Sequence, residues 1–149
     1  MLFDIRNERA AAWTLAFAGY LPFLAIAVAL MLLGNTHPFQ TVLADAFRTY
    51  GAIILSFLGG VRWGLALRDQ PVPVRDLVFS VIPAIAAWFS LFLPAPVSVA
   101  ILLLGFCAQG AWDSLSMHAG RGPQWYAQLR ITLTLIVALA HGIAIAALY

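Results

Sequence analysis

The sequence predicts an all-α fold, a polytopic membrane helix bundle of about five transmembrane helices, and composition, run length and punctuation each point there. Of the 149 residues, 63% are hydrophobic and 9% charged, and the mean hydropathy is +0.93; soluble domains carry about 25% charge. A water-soluble fold with so few charges has nothing to cover its surface. Apolar runs of about 18 or more residues recur along the chain, the form a segment takes when lipid obliges it to satisfy every backbone hydrogen bond internally. Proline and glycine clusters separate the runs. Spans of about 20 residues each use most of the chain, so a single transmembrane domain over residues 1–149 is expected.

The first helix is predicted over 10–33. Arg6 and Arg9 precede it as in a secretory signal, but the run exceeds the roughly 7 to 15 residues of a signal core and carries Pro22 at mid-span, so it reads as a retained span. Gly34-Asn35 ends it with a turn pair that supplies a C-cap. The second helix, 43–67, stops before Arg68-Asp69-Gln70-Pro71-Val72-Pro73, where the prolines forbid continuation. The third, 76–93, opens on Asp76, whose charge suits the helix dipole, and carries Pro83 as an expected kink. Pro94-Ala95-Pro96 leaves room for a tight turn. The fourth helix, 97–117, is ended by Gly120-Arg121-Gly122-Pro123, and the fifth, 124–148, starts on Trp125 and Tyr126, an interfacial aromatic anchor.

Orientation follows from the arginines, because short positively charged loops stay in the cytoplasm. Arg6, Arg9, Arg68, Arg75, Arg121 and Arg130 fall on one side and Arg48, beside Asp45, on the other, six against one with Arg62 set aside as intramembrane. The N-terminus is therefore expected in the cytoplasm and the C-terminus on the far side. A pI near 9.1 on so apolar a chain fits headgroup contacts rather than nucleic acid. The lone Cys107 allows no disulfide or thiolate metal site within one chain, and no metal site is predicted. A faint repeat also shows: Phe57 and Trp63 are spaced like Phe106 and Trp112, an offset of 49 residues that also pairs Ser56 with Gly105 and Gly59 with Ala108. It would relate the two hairpins by an axis along the membrane normal.

The run Tyr50-Gly51-Ala52-Ile53-Ile54-Leu55-Ser56-Phe57-Leu58-Gly59-Gly60-Val61-Arg62-Trp63-Gly64, with Pro123-Gln124-Trp125-Tyr126-Ala127-Gln128-Leu129-Arg130, Leu133-Thr134 and Gly19-Tyr20-Leu21-Pro22-Phe23, resembles the transmembrane-protein-69-like family, also called domain of unknown function 3429. The resemblance implies a small polytopic protein of bacterial inner membranes, with mitochondrial relatives and no assigned activity; the far side is then the periplasm. It carries over no catalytic residue.

Arg62 stands near the cytoplasmic end of the second helix and Asp113 near that of the fourth, at matching depth. A charge in the bilayer core costs about 2.5 to 3.5 kcal/mol, and a partner inside the bundle is the usual offset. An ion pair between them is therefore expected; the alternative has Arg62 snorkelling to headgroups while Asp113 caps a helix end. At about 100° per residue, Gly105, Gln109, Trp112, Asp113 and Ser116 share one stripe of the fourth helix. On the second, Ser56, Gly60 and Gly64 form one small-residue ridge and Gly59 lies near Arg62 on the other face, so that helix is expected to pack on both sides. His141, the ionisable group nearest mid-membrane, is read as an interhelical hydrogen-bonding residue, with a proton relay as the alternative. Trp63 and Trp112 are candidates for lining a flat slot for a quinone or lipid tail, or else ordinary interfacial residues.

Paired carboxylates, a phosphate-binding glycine loop, H-E-x-x-H and a nucleophile elbow are all missing from the sequence, which leans away from an enzyme. An enzyme would need the cluster Arg62, Gln109, Asp113, Ser116 and His118. A transporter or proton pathway would use Asp113, Gln109 and His141, within an oligomer. The expected role is a non-catalytic accessory or assembly subunit, or a lipid- or quinone-binding module. No cofactor is predicted beyond a bound lipid or quinone, and the partners are membrane lipids, other membrane subunits or a second copy, with no nucleic acid.

Overall fold

Helices follow one another through the chain with short connections: α1 Ile5–Leu33, α2 Gln40–Ala66, α3 Val74–Ser90, α4 Ala95–Ser116 and α5 Gln124–Leu148. This computed structural model describes residues 5–34, 36–68, 71–117 and 123–149, and no strand occurs among them. The expected turn residues Asn35, Asp69, Gln70, Gly120, Arg121 and Gly122, and the candidate His118, lie outside the described residues.

The fifth helix has its expected bounds, and the others start earlier than expected because polar or proline-bearing first turns are still helical. Pro73, Pro94 and Pro123 each stand directly before a helix as its N-cap residue. A proline there, or at Pro96 within the first turn of α4, removes an N–H that no helical carbonyl would have received. The Pro94-Ala95-Pro96 link is thus already the start of α4 rather than a free turn. Pro22 and Pro83 sit inside continuous helices.

Among the described residues, α1 from Glu8, α2, α4 and α5 are long and apolar enough to cross a membrane. The remaining helix, α3, has 17 residues, at the short end of the roughly 17 to 25 that span a hydrocarbon core. It retraces α2 in the opposite direction. At one end Arg48 Nη1 donates to the carbonyls of Leu91 (3.1 Å) and Leu93 (2.9 Å), and further along Gly59 lies against the backbone of Ser80. A Cβ at Gly59 would stand 2.5 Å from the Ser80 oxygen, so this close approach requires glycine. Arg48 also caps the chain where α3 ends, at Ser90 rather than residue 93. Its guanidinium, held by Asp45 at 2.8 Å, satisfies the Leu91 and Leu93 carbonyls in the turn that leaves the helix ahead of Pro94.

The helices α1, α2, α4 and α5 enclose the core, and α3 lies against α2 and α4. Phe23, Ala27, Leu30, Phe47, Leu55, Val99, Leu102, Phe106, Ala140 and Ala144 fill it. Gly105 faces Leu55 across α4 and α2, and Gly110 faces the side chain of Thr134 across α4 and α5, each without room for a Cβ.

Two expectations about α2 and the repeat are corrected. Its Gly59 face is buried, but Gly60 and Gly64 have open space where a Cβ would go, so the Ser56–Gly60–Gly64 ridge packs against no other helix among the described residues. The buried Leu55, Gly59, Arg62 and Ala66 define a single inward stripe, which sets the opposite ridge outward. The repeat fails in environment as well: Phe57 is 65% exposed where its counterpart Phe106 is 4%, and Gly59 is buried where Ala108 is exposed.

Candidate functional site

Near one end of the bundle, three helices bring charge together. Asp113 lies one turn before the end of α4, Arg62 one turn before the end of α2, and Arg130 nearly two turns into α5. Asp113 Oδ1 is 3.5 Å from Arg62 Nη1, and Asp113 Oδ2 is 2.7 Å from Arg130 Nε. All three are at least nine-tenths buried, at 3%, 8% and 5% exposure. The Arg130 Nε–H is not aligned on the oxygen, so that contact is ionic rather than a directed hydrogen bond. Arg62 also donates from Nη2 to Ser116 Oγ at 2.9 Å. Its guanidinium carbon stands 4.6 Å from the centroid of the Trp112 ring. Trp112 in turn meets Phe79 edge to face at 5.6 Å, and Arg75 covers Phe79 at 5.4 Å, which extends the cluster to α3.

The aspartate is thus a carboxylate between two arginines. Each ion would be costly in lipid alone, and the arrangement lets one anion offset both while the cation–π face of Trp112 takes part of Arg62. Arg130, counted with the arginines of one side, is buried against Asp113 rather than lying in a loop. A signal for it existed, since counting along α5 places Arg130 about 9 Å from the helix start at 1.5 Å per residue, deeper than a surface charge.

Beside this cluster a gap opens between α1, α2 and α5. The inward face of α1 is buried at Phe23, Ala27 and Leu30, but Ala12, Ala16, Gly19 and Tyr20, toward its N-terminus, are only half covered. Ala12, Ala16 and Gly19 bring little side-chain volume, and a cleft of about 500 Å³ lies there, walled by α1, α2 and α5 with Phe106 of α4 also lining it. Its lining is apolar except for Tyr126, Arg130 and Thr134 near the charged end and Tyr20 of α1. Thr134 Oγ1 is committed to the Arg130 carbonyl at 2.7 Å, whereas the buried Arg130 Nε–H has no hydrogen-bond partner. Trp63 and Trp112, the expected lining residues, are both absent from the cleft: Trp63 is 44% exposed on the outer face and Trp112 stacks on Arg62.

His141 does not join the charged cluster. It lies eleven residues beyond Arg130 on α5, about 16 Å along the axis, fully buried among Phe23, Phe47 and Phe106 with ring centroids 5.3, 4.9 and 5.2 Å away. Its Nδ1 is 2.8 Å from the Val137 carbonyl of its own helix, and Nε2 has no partner. A carbonyl only accepts, so Nδ1 carries the proton. The interhelical bond expected of His141 is therefore replaced by an intrahelical one, because every helix that faces the ring presents an aromatic. Gln109 is buried one turn from Asp113, its Nε2 also without a hydrogen-bond partner. No group of three or more metal-ligating side chains occurs among the described residues.

Transmembrane protein 69 of Xenopus tropicalis is 31% identical to the chain over 131 residues, 85% of the chain and 50% of the relative. Transmembrane protein 69 of Mus musculus is 28% identical over 134 residues, 88% and 54%. The chain spans about half the length of these relatives. No solved structure matches it. The family described as "Protein of unknown function (DUF3429)" matches residues 8–146, nearly the whole helical bundle, and the chain belongs to that family of multi-pass membrane proteins.

Proposed function

We propose that the chain is a non-catalytic inner-membrane protein that holds an amphiphile, a lipid or a quinone, in the cleft between α1, α2 and α5, as an accessory or assembly module of the membrane. The observation that carries this reading is the cleft itself: about 500 Å³ of mostly apolar space with its charged group, Arg130, toward one end. That size lies within the roughly 300 to 1,000 Å³ of small-molecule sites, which are mostly apolar with a few placed polar groups. From Tyr126 to Val137 the cleft follows twelve residues of α5, about 16 Å, or roughly half of a 30 Å hydrocarbon core. An occupant with its polar part at Arg130 and its tail toward Phe106 fits one leaflet.

The charged end carries Arg9, Arg68 and Arg75 as well as the buried cluster, which supports placing it in the cytoplasm with the C-terminus in the periplasm. Native mass spectrometry of the chain released from mild detergent tests the reading. Wild type should carry an added amphiphile mass, and Ala16→Trp, which fills the cleft without touching the ion cluster, should lose it while unfolding at the same temperature. Wild type flying as the bare chain would overturn it.

A further inference from the structure

We infer that the cleft selects an anionic phospholipid over a neutral lipid or a quinone, with Arg130 as the headgroup-recognising residue; this rests on the reading of the cleft as an amphiphile site. Arg130 lines the cleft, is 95% withdrawn from the surface, and has a guanidinium whose described contact is the one to Asp113 Oδ2. A guanidinium carries five N–H donors in a planar fork and no acceptor. Asp113 meets it at Nε without alignment, and that buried Nε–H has no hydrogen-bond partner. A phosphate diester offers only acceptor oxygens and a negative charge, and arginine binds it through two parallel bonds.

Charge points the same way. Asp113 already divides its two oxygens between Arg62 and Arg130, so it is not available to Arg130 alone. A neutral quinone carbonyl would accept one bond and leave the charge unanswered. A zwitterionic headgroup would bring its own cation toward two arginines. An anionic headgroup without an amine meets neither objection. The Tyr126 side chain, which lines the same end, offers a hydroxyl that donates to a second phosphate oxygen. The Tyr20 hydroxyl belongs to the same wall and gives the glycerol region a polar contact.

The test uses the full chain in nanodiscs of mixed phosphatidylglycerol and phosphatidylcholine with added ubiquinone, followed by detergent release and native mass spectrometry. Wild type should retain phosphatidylglycerol over phosphatidylcholine by about tenfold or more, as a charge-assisted bidentate contact requires, and excess inorganic phosphate should not displace it. Arg130→Gln should lose the preference but still retain some lipid. Arg130→Lys should keep part of it, since the charge remains and the fork does not. Ala16→Trp, which leaves all three ions in place, should retain neither lipid.

Retention of ubiquinone or phosphatidylcholine in preference, abolished by Ala16→Trp, would overturn the headgroup assignment while leaving the cleft an amphiphile site. Displacement by inorganic phosphate would overturn it too, in favour of a free anion. No retained amphiphile, or retention that Ala16→Trp does not change, would remove the cleft reading itself. If Arg130→Gln fails to fold, Arg130→Lys and Ala16→Trp still decide between these outcomes.

Discussion

Asp113 answers two arginines at once, so its loss should cost more than the loss of either. Asp113→Asn removes the carboxylate that both Arg62 and Arg130 face, and removing one partner of a buried pair typically costs about 3 to 5 kcal/mol. Unfolding followed in mixed micelles should rank Asp113→Asn below Arg62→Gln and Arg130→Gln; a milder effect than both would contradict the shared geometry. The same geometry changes the meaning of a charge swap. Exchanging Arg62 and Asp113 sets a guanidinium at position 113 against Arg130, so the swap should fail to restore stability although Arg62 and Asp113 are in contact. Depth along two helices was enough to bring Arg62 and Asp113 together from the sequence. Arg130 was missed because a tally of arginines by side treats each as a surface charge, which hides one that lies nearly two turns inside α5. His141 was legible as buried but not as caged, since the rings around it come from three other helices.

Between elements, the glycines separate into those that meet a neighbour and those that do not. Gly59→Ala should destabilise, because the group it strikes is the Ser80 carbonyl, part of a helix backbone with little freedom to move. Gly60→Ala and Gly64→Ala, which face open space, should leave the protein unchanged or gain up to about 1 kcal/mol from helix propensity. Equal losses at all three positions, in the same unfolding assay, would show that the outer ridge is packed. At the other end of α3, Arg48→Ala releases the Leu91 and Leu93 carbonyls, and amide exchange should quicken in that last turn while the Gly59–Ser80 contact region stays protected. Helix number and order were readable from apolar runs and proline punctuation. Which small-residue face of α2 turns inward was not, because both carry the same spacing and only the neighbours distinguish them.

For the whole molecule, the consequence of a short-sided α1 is an opening in the half of the bundle that holds the charges. No periodicity in the sequence marks such a gap: it depends on how α1, α2 and α5 pack together, and the small residues Ala12, Ala16 and Gly19 read equally well as close packing. The tryptophans drew attention as large flat residues, yet the cleft is walled by smaller ones. Photo-crosslinking in native membranes, with a benzophenone amino acid placed at Leu133 in the cleft or at Leu135 on the outer face of the same helix, tests the central claim most directly. After detergent washing before illumination, a lipid-mass adduct should form at position 133 and not at 135. Equal adducts at both positions, or one at 135 alone, would mean that the cleft holds nothing the surrounding bilayer does not.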